Sequence, residues 1–123
     1  MSAPIFALAS SSPEVVALLG KGSTLRLYLF GEATQGVVTP YVIWQLVGGS
    51  PENRLAGIPD MDNFRIQLDA YADTAKEARE VGLALSAAVE PHAYVVSWNF
   101  EAREPDTRLY RFSFTVEFMT PRD

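Results

Sequence analysis

Apolar and polar residues alternate along the last third of the chain, and this period of two predicts a pair of long strands. The strands cover residues 93–103 and 109–119. Between them, Glu104-Pro105-Asp106-Thr107 has proline and aspartate at the positions that a type I turn favours. We therefore predict a long C-terminal β-hairpin.

The hairpin carries more apolar side chains than a single buried face needs. One face of its second strand consists of Tyr110, Phe112, Phe114, Val116 and Phe118. Strict alternation in its first strand places Val96, Trp98, Phe100 and Ala102 on one side and Val95 on the other. Surplus aromatic surface is typical of subunit contacts, so we expect part of it to be buried against another subunit. The alternative is a monomer with a few exposed tyrosines.

Three further strands are predicted upstream of the hairpin. Residues 25–30 and 64–71 alternate in the same way, whereas residues 41–47 are apolar on both sides, as in a central strand. A polar loop over residues 31–39 separates the first two of these strands. Residues 48–60 are rich in glycine and proline, and a loop of that length in a compact domain is usually functional or mobile.

Two helices have recognisable start signals. Ser12, followed by Pro13 and Glu14, predicts a helix that ends at Gly20, with a short helical piece over residues 4–9 before it. The second helix begins with a capping box, in which Thr74 and Glu77 each satisfy a free backbone amide. The apolar positions that then share one helix face are Ala78, Val81, Leu85 and Ala88, and Pro91 closes the helix.

The predicted element order is α-β-β-β-α-β-β. Such an order is typical of an α+β domain, with helices on one face of a mostly antiparallel five-stranded sheet. No linker or repeat divides the chain, so we expect a single domain over residues 1–123.

Composition narrows the functions open to this domain. The chain has 123 residues, no cysteine and a net charge of −5. Disulfide and thiolate chemistry are thereby excluded, and binding of duplex DNA by counterion release is disfavoured. No apolar run approaches the roughly 20 residues of a membrane-spanning helix, and the first residues lack the pattern of a secretion signal.

Two segments superficially match ligand-binding motifs. Gly20-Lys21-Gly22-Ser23 resembles part of a phosphate-binding loop, but that motif needs Ser or Thr directly after the lysine and a strand before it. A helix C-cap followed by a turn is the favoured interpretation. Asp60 and Asp62 could open a calcium loop, but Phe64 occupies the third ligand position.

Candidate catalytic groups are equally sparse. His92 is the only histidine, which leaves no cluster for zinc, and nothing in the sequence places it beside Ser97 and Asp69 as a triad requires. The acids Glu101, Glu104 and Asp106 lack an apolar pocket that would raise a carboxyl pKa, so a charged hairpin tip is favoured.

The two tryptophans, Trp44 and Trp98, could line a ligand pocket together with the hairpin aromatics, although a filled core is favoured. With no motif for catalysis, metal or cofactor binding, we predict that the protein is not an enzyme and binds no cofactor.

Several short motifs resemble a known family. They are Pro4-Ile5-Phe6, Leu25-Arg26-Leu27-Tyr28, the run from Pro40 to Gly48, the run from Arg65 to Ala72, and Thr74 with the alanine-rich helix. Over residues 4–118 the chain resembles the tail-completion (tail-terminator) proteins of long-tailed bacteriophages. The pair formed by Pro40-Tyr41-Val42 and Arg65-x-Gln67-x-Asp69-x-Tyr71 is the most telling.

This resemblance implies a virion protein, assembled in the bacterial host cytoplasm, that forms a hexameric ring. The ring would cap the tail tube, stop its polymerisation and dock on the head–tail connector, while DNA crosses the lumen without specific binding. Six copies, each at −5, would carry −30, and such a wall repels DNA over about 8 Å at physiological salt. The loop at Glu52, Asn53, Arg54 and Leu55 is expected to reach a neighbour or the tube.

Two other readings remain at this point. The chain could be a different neck or head-closure component of the same particle. It could also be a small-molecule-binding α+β domain that uses an aromatic pocket.

Overall fold

The computed structural model describes residues 5–33, 36–50, 61–90 and 92–121. Its helices are α1 (Ile5–Ser10), α2 (Pro13–Leu19) and α3 (Ala75–Val89), with one 3-10 turn at Gly22–Thr24. Its strands are β1 (Leu27–Leu29), β2 (Tyr41–Ser50), β3 (Met61–Ala72), β4 (Ala93–Arg103) and β5 (Tyr110–Pro121). The predicted α+β class, the element order and the broken N-terminal helix are confirmed.

The five strands form one sheet in the order β1-β2-β3-β5-β4. Every neighbouring pair is antiparallel except β1 and β2, which run parallel. The predicted C-terminal hairpin is confirmed as the β4–β5 pair, and it leaves β4 at an edge of the sheet. The short β1 lies at the opposite edge and pairs only with Val42, Ile43 and Trp44 of β2.

The first three strands differ from the prediction at their ends, and β3 extends over Met61–Ala72 instead of residues 64–71. β1 is shorter than residues 25–30, and the Arg26 side chain before it donates hydrogen bonds to the carbonyls of Pro40 and Leu18. β2 continues through Gly48 to Ser50 because these residues pair with the start of β3. The predicted loop is therefore wrong for residues 48–50, where ladder pairing outweighs the local preference of glycine for turns. Residues 51–60 lie outside the described part of the chain.

All three helices pack on one face of the sheet and enclose the core there. The largest fully buried side chains come from both layers: Ile5, Val15 and Leu19 from the short helices, Val81, Leu85 and Val89 from α3, and Val42, Ile66, Leu68, Phe114, Val116 and Phe118 from the sheet. We call the opposite side of the sheet the open face, because none of the described helices covers it.

Both predicted helix caps are present in part. Ser12 Oγ accepts a hydrogen bond from the backbone N–H of Val15 at 3.3 Å, and Gly20 ends α2 with a φ of 99°. A helix C-cap followed by a turn is thus confirmed for the glycine-rich stretch. At α3, Thr74 Oγ1 accepts from the Glu77 N–H at 3.1 Å. The reciprocal bond of the predicted capping box, from the Thr74 N–H to the Glu77 carboxylate, is not formed between these two described residues.

Replacing Thr74 with alanine should lower the free energy of unfolding by about 1 kcal/mol, because one amide at the start of α3 loses its partner. Urea-induced unfolding followed by circular dichroism measures this change. Thr74→Ser is the matched control: it keeps the hydroxyl and should behave like the wild type. Equal losses in both variants would contradict the capping role.

Candidate interaction surfaces

Two β-bulges reshape the edge strand β4. They lie between Val95 and Ser97 and between Trp98 and Phe100. Each bulge inserts one residue and reverses the alternation of the strand. Trp98 therefore pairs with Phe114 on the helix side, whereas Phe100 pairs with Ser113 on the open face. The prediction that the alternating apolar residues of this strand share one side is wrong for this reason.

Trp98 stays largely outside the core. Its ring packs against Phe112 and Phe114 at centroid distances of 5.9 and 5.6 Å, yet the residue is 55% exposed. The favoured interpretation of Trp98 as a filled-core residue is therefore wrong. At this edge of the sheet α3 lies directly against Phe112. The Trp98 indole is therefore kept out of the core and covers the side of Phe112 that faces the edge.

A shallow apolar groove lies between α3 and β4. Leu83, Trp98 and Phe112 form its floor, and Arg79 and Glu101 stand at its rim. Its volume is about 410 Å³. Arg79 Nη2 and Glu101 Oε1 lie 2.8 Å apart, and this hydrogen bonding lowers the pKa of the Glu101 carboxyl. We call this surface the α3–β4 groove.

The opposite edge of the sheet is also apolar and open. Because β1 stops at Leu29, residues 45–50 of β2 pair with β3 on one side but have no strand among the described residues on the other side. Leu46 on this segment is 62% exposed and Phe30, directly after β1, is 59% exposed. Val38 and Val47 are exposed beside them. We call this surface the β1–β2 edge.

Neither sheet edge carries charge at these positions. Residues 93–100 of β4 and 45–50 of β2 contain no Asp, Glu, Lys or Arg, although 20% of the chain is charged. Edge strands of monomeric proteins are commonly protected by charged side chains or proline, because exposed backbone amides and carbonyls can pair with a strand of another molecule. These segments of both sheet edges therefore lack charged side chains as protection against pairing with another strand.

A network of paired polar side chains lies on the open face. The Asp69 carboxylate, which is 3% exposed, accepts from the Gln67 amide at 3.0 Å and lies 3.3 Å from Arg111 Nη2. Arg111 Nη1 in turn donates to Glu104 at 3.1 Å. Asn99, the residue inserted at the second bulge, donates to the hydroxyls of Ser113 and Thr115. These contacts connect β3, β5 and β4, while the buried Arg111 Nε has no hydrogen-bond partner among the described residues.

The acids of the hairpin do not act as a set. Glu101 pairs with Arg79 on the helix side, while Glu104 pairs with Arg111 on the open face. Only Glu104 and Asp106 belong to the hairpin turn itself, so the predicted charged tip is correct for these two. Asp69 is already bonded to Gln67 and Arg111, and Ser97 donates to Asn99. No triad with His92 is formed by these side chains.

The alternative of an aromatic pocket shared by the two tryptophans is excluded by the strand order. β3 and β5 lie between the strands of Trp44 and Trp98, so these side chains cannot meet. A different open cleft of about 800 Å³ lies between the loop around Val37 and the hairpin turn. Tyr41 and Tyr71 stack at its base, with centroids 5.1 Å apart. Burial raises the pKa of the Tyr71 hydroxyl to about 12.

Across the described ranges, no group of three or more His, Cys, Asp or Glu residues could hold a metal ion. None of the helices described is long and apolar enough to cross a membrane. The predicted partner loop at Glu52, Asn53, Arg54 and Leu55 lies outside the described residues, as does Asp60.

Comparison with known proteins identifies a family and solved structures of similar fold. The sequence model of a family described as tail completion protein gp17 matches residues 3–121. No curated protein sequence matches the chain. A chain in the virion of a native gene transfer agent (GTA) particle has a similar structure, with a TM-score of 0.62 over 96% of this chain and 92% of that one. The two share 13% sequence identity, so this likeness concerns the fold.

Proposed function

The chain belongs to the tail completion protein gp17 family and is therefore a structural protein of a bacteriophage-type virion, and we propose that it acts as the tail terminator. In this role it binds the end of the completed tail tube, stops further addition of tube subunits and joins the tail to the head connector. The observation that carries the proposal is the family match, because it spans residues 3–121. No bond is made or broken in this activity.

A hexameric ring is the proposed form of the terminator. A closed ring joins one surface of each subunit to a different surface of the next, so every subunit needs two unlike patches. The α3–β4 groove and the β1–β2 edge are two such patches at opposite ends of one sheet. Six copies would carry −30, which keeps transiting DNA from adhering to the wall at short range.

The resemblance to tail-completion proteins implies two further partners, the tube protein and the connector protein. The tube protein would meet one rim of the ring and the connector protein the other, with the loop at Glu52, Asn53, Arg54 and Leu55 reaching a neighbour or the tube. That loop contact remains a prediction. Because the rims differ, a tube subunit finds no matching surface beyond the ring, and growth ends.

Deleting the gene from the phage genome should give tails of uncontrolled length that are not joined to heads. The reason is that tube polymerisation loses the ring that ends it. Electron microscopy of lysates, with tail length measured over many particles, tests this outcome. Plasmid-borne wild-type protein is the control and should restore tails of uniform length attached to heads.

The deletion also separates the terminator from a head-closure component. Loss of a head-closure protein would leave tails of normal length beside heads that have lost or cannot retain DNA. Uniform, unattached tails in the deletion lysate would therefore refute the terminator role. Normal, complete virions would refute any essential role in tail completion.

A further inference from the structure

We propose that, in the ring, the β1–β2 edge of one subunit docks on the α3–β4 groove and outer edge of β4 in the next copy. This inference rests on the proposed function, since it requires an assembly of identical subunits. It names which surfaces meet, and it commits to a second copy of this chain as the occupant of both.

The area of exposed apolar surface favours a protein partner. Along β4 and the facing side of α3, the exposed large apolar residues are Leu83, Tyr94, Val96, Trp98 and Phe100. Leu83 and Trp98 lie on the helix side of this edge and Tyr94 and Phe100 on the open face, so apolar side chains flank the edge strand on both sides. A contact that covers both flanks of a strand edge needs an extended partner surface, as protein interfaces of about 800 Å² on each partner provide.

Charge favours the β1–β2 edge as the complement of β4. The docking segments, residues 45–50 and 93–100, are both uncharged, so contact between the two strands desolvates no ion. The charges at the rim of the α3–β4 groove, Arg79 and Glu101, already pair with each other. The hairpin turn and the open face carry charged groups that would have to be paired or desolvated on contact. Among the surfaces of the described chain, the two sheet edges thus match each other best.

Strand direction and height agree with this pairing. β2 is antiparallel to β3, β3 to β5, and β5 to β4, so β2 and β4 run in opposite directions. In a ring of identically oriented copies, β4 of one copy lies antiparallel to β2 of the next copy. Antiparallel pairing is the more stable kind. Gln45, Gln67, Thr115 and Ser97 are successive partners across the sheet. The two free segments are therefore in register across the sheet. The edges of neighbouring copies can pair without a shift along the strand direction.

The bulges of β4 determine how the contact is made. They interrupt the outer backbone ladder at Val96 and Asn99, so only short pieces of strand can pair with a neighbour. Side chains then provide most of the contact. Trp98 is the expected anchor, because a half-exposed tryptophan in a rim of polar groups is typical of the residues that dominate interface energies. Leu46 or Phe30 of the next copy supplies the apolar side chain opposite it.

Cysteine cross-linking tests the proposal without background, because the natural chain has no cysteine. Gln45→Cys marks the β1–β2 edge and Ser97→Cys marks β4. Tails are purified from cells that make the two single variants in equal amounts and are treated with a short bismaleimide. We expect covalent dimers from the mixture and none from either variant alone. The double variant should give a ladder of products that ends at the size of the closed ring.

Glu14→Cys, on the exposed side of α2, is the matched control. Mixed with Ser97→Cys, it should yield no dimers, because Glu14 lies at the start of α2, whereas only the other end of this helix, at Leu18 and Leu19, contacts Arg26 beside β1. Dimers from Ser97→Cys alone would instead show a symmetric β4–β4 contact and overturn the proposal.

The remaining outcomes distinguish this inference from the proposed function. Rings that sediment as multimers but form no cross-link in any combination would refute the docking of these two edges while leaving the terminator ring intact. Absence of the protein from tails, with monomers only, would refute the ring and with it the docking.

Discussion

Arg111→Met should lower the free energy of unfolding by about 3 kcal/mol, near the lower end of the range for breaking one partner of a buried ion pair. The cause is Asp69, which is buried on the open face and would keep only the Gln67 amide as a side-chain partner. Methionine matches the length and apolar stem of arginine, so the packing changes little. Urea-induced unfolding of the purified protein measures the difference.

Arg65→Met is the matched control for this change. It removes the same side chain from the neighbouring strand on the same face, where Arg65 is exposed and pairs with Glu117 at 2.9 Å. Exposed pairs contribute about 0–1 kcal/mol, so the control should be nearly neutral. Adding Asp69→Asn to Arg111→Met should recover part of the loss, because it removes the unpaired charge. Equal losses from the two arginine substitutions would show that burial of Asp69 does not matter.

Gly82→Ala should destabilise the protein by about 1–3 kcal/mol through overpacking, although alanine favours a helix by roughly 1 kcal/mol over glycine. A Cβ atom at this position of α3 would lie 2.2 Å from Cδ2 of Phe112. That ring cannot easily move aside, since it packs between Trp98 and Phe114 at 5.9 Å from each. The helix must therefore shift away from β5. Thermal unfolding monitored by circular dichroism reports the effect.

A second substitution tests whether Phe112 is the cause. Phe112→Leu shortens the side chain beneath the helix, and combined with Gly82→Ala it should cost less than the sum of the two single changes. Strict additivity would place the strain elsewhere. A more stable Gly82→Ala protein would mean that helix preference outweighs the close approach of α3 to the sheet.

Periodicity in the sequence was sufficient to predict most of the fold. The alternation in β5 and the helix spacing in α3 are direct consequences of one buried face, and both appear in the structure. The ends of β2 and β3 could not be predicted, because Gly48 favours a turn locally and is held in the ladder only by pairing with Arg65. Such pairing depends on residues distant in the chain, and it cannot be predicted from the preferences of neighbouring residues.

The candidate surfaces were less accessible to sequence reasoning. A surplus of apolar residues in the hairpin was visible, but the two bulges that separate Trp98 from Phe100 leave no residue signature in β4. The free edge at Leu46 follows from the early end of β1 at Leu29, where the Glu32 N–H donates to the Leu29 carbonyl and Gly31 has a φ of 78°. Family resemblance supplied the role in the virion, whereas residue patterns supplied only the absence of a recognisable catalytic motif.

The uncharged stretch of β4 has a consequence for the life of the protein before assembly. An eight-residue segment without charge or proline, rich in aromatic and β-branched residues, resembles the segments that nucleate fibrils when they are exposed. Its two bulges are the main obstacle to stacking with other strands. Unassembled chains should accordingly precipitate at high concentration. They should stay in solution when they are incorporated into particles as fast as they are synthesised. Incorporation into the particle would then serve the subunit's own solubility as well as the tail.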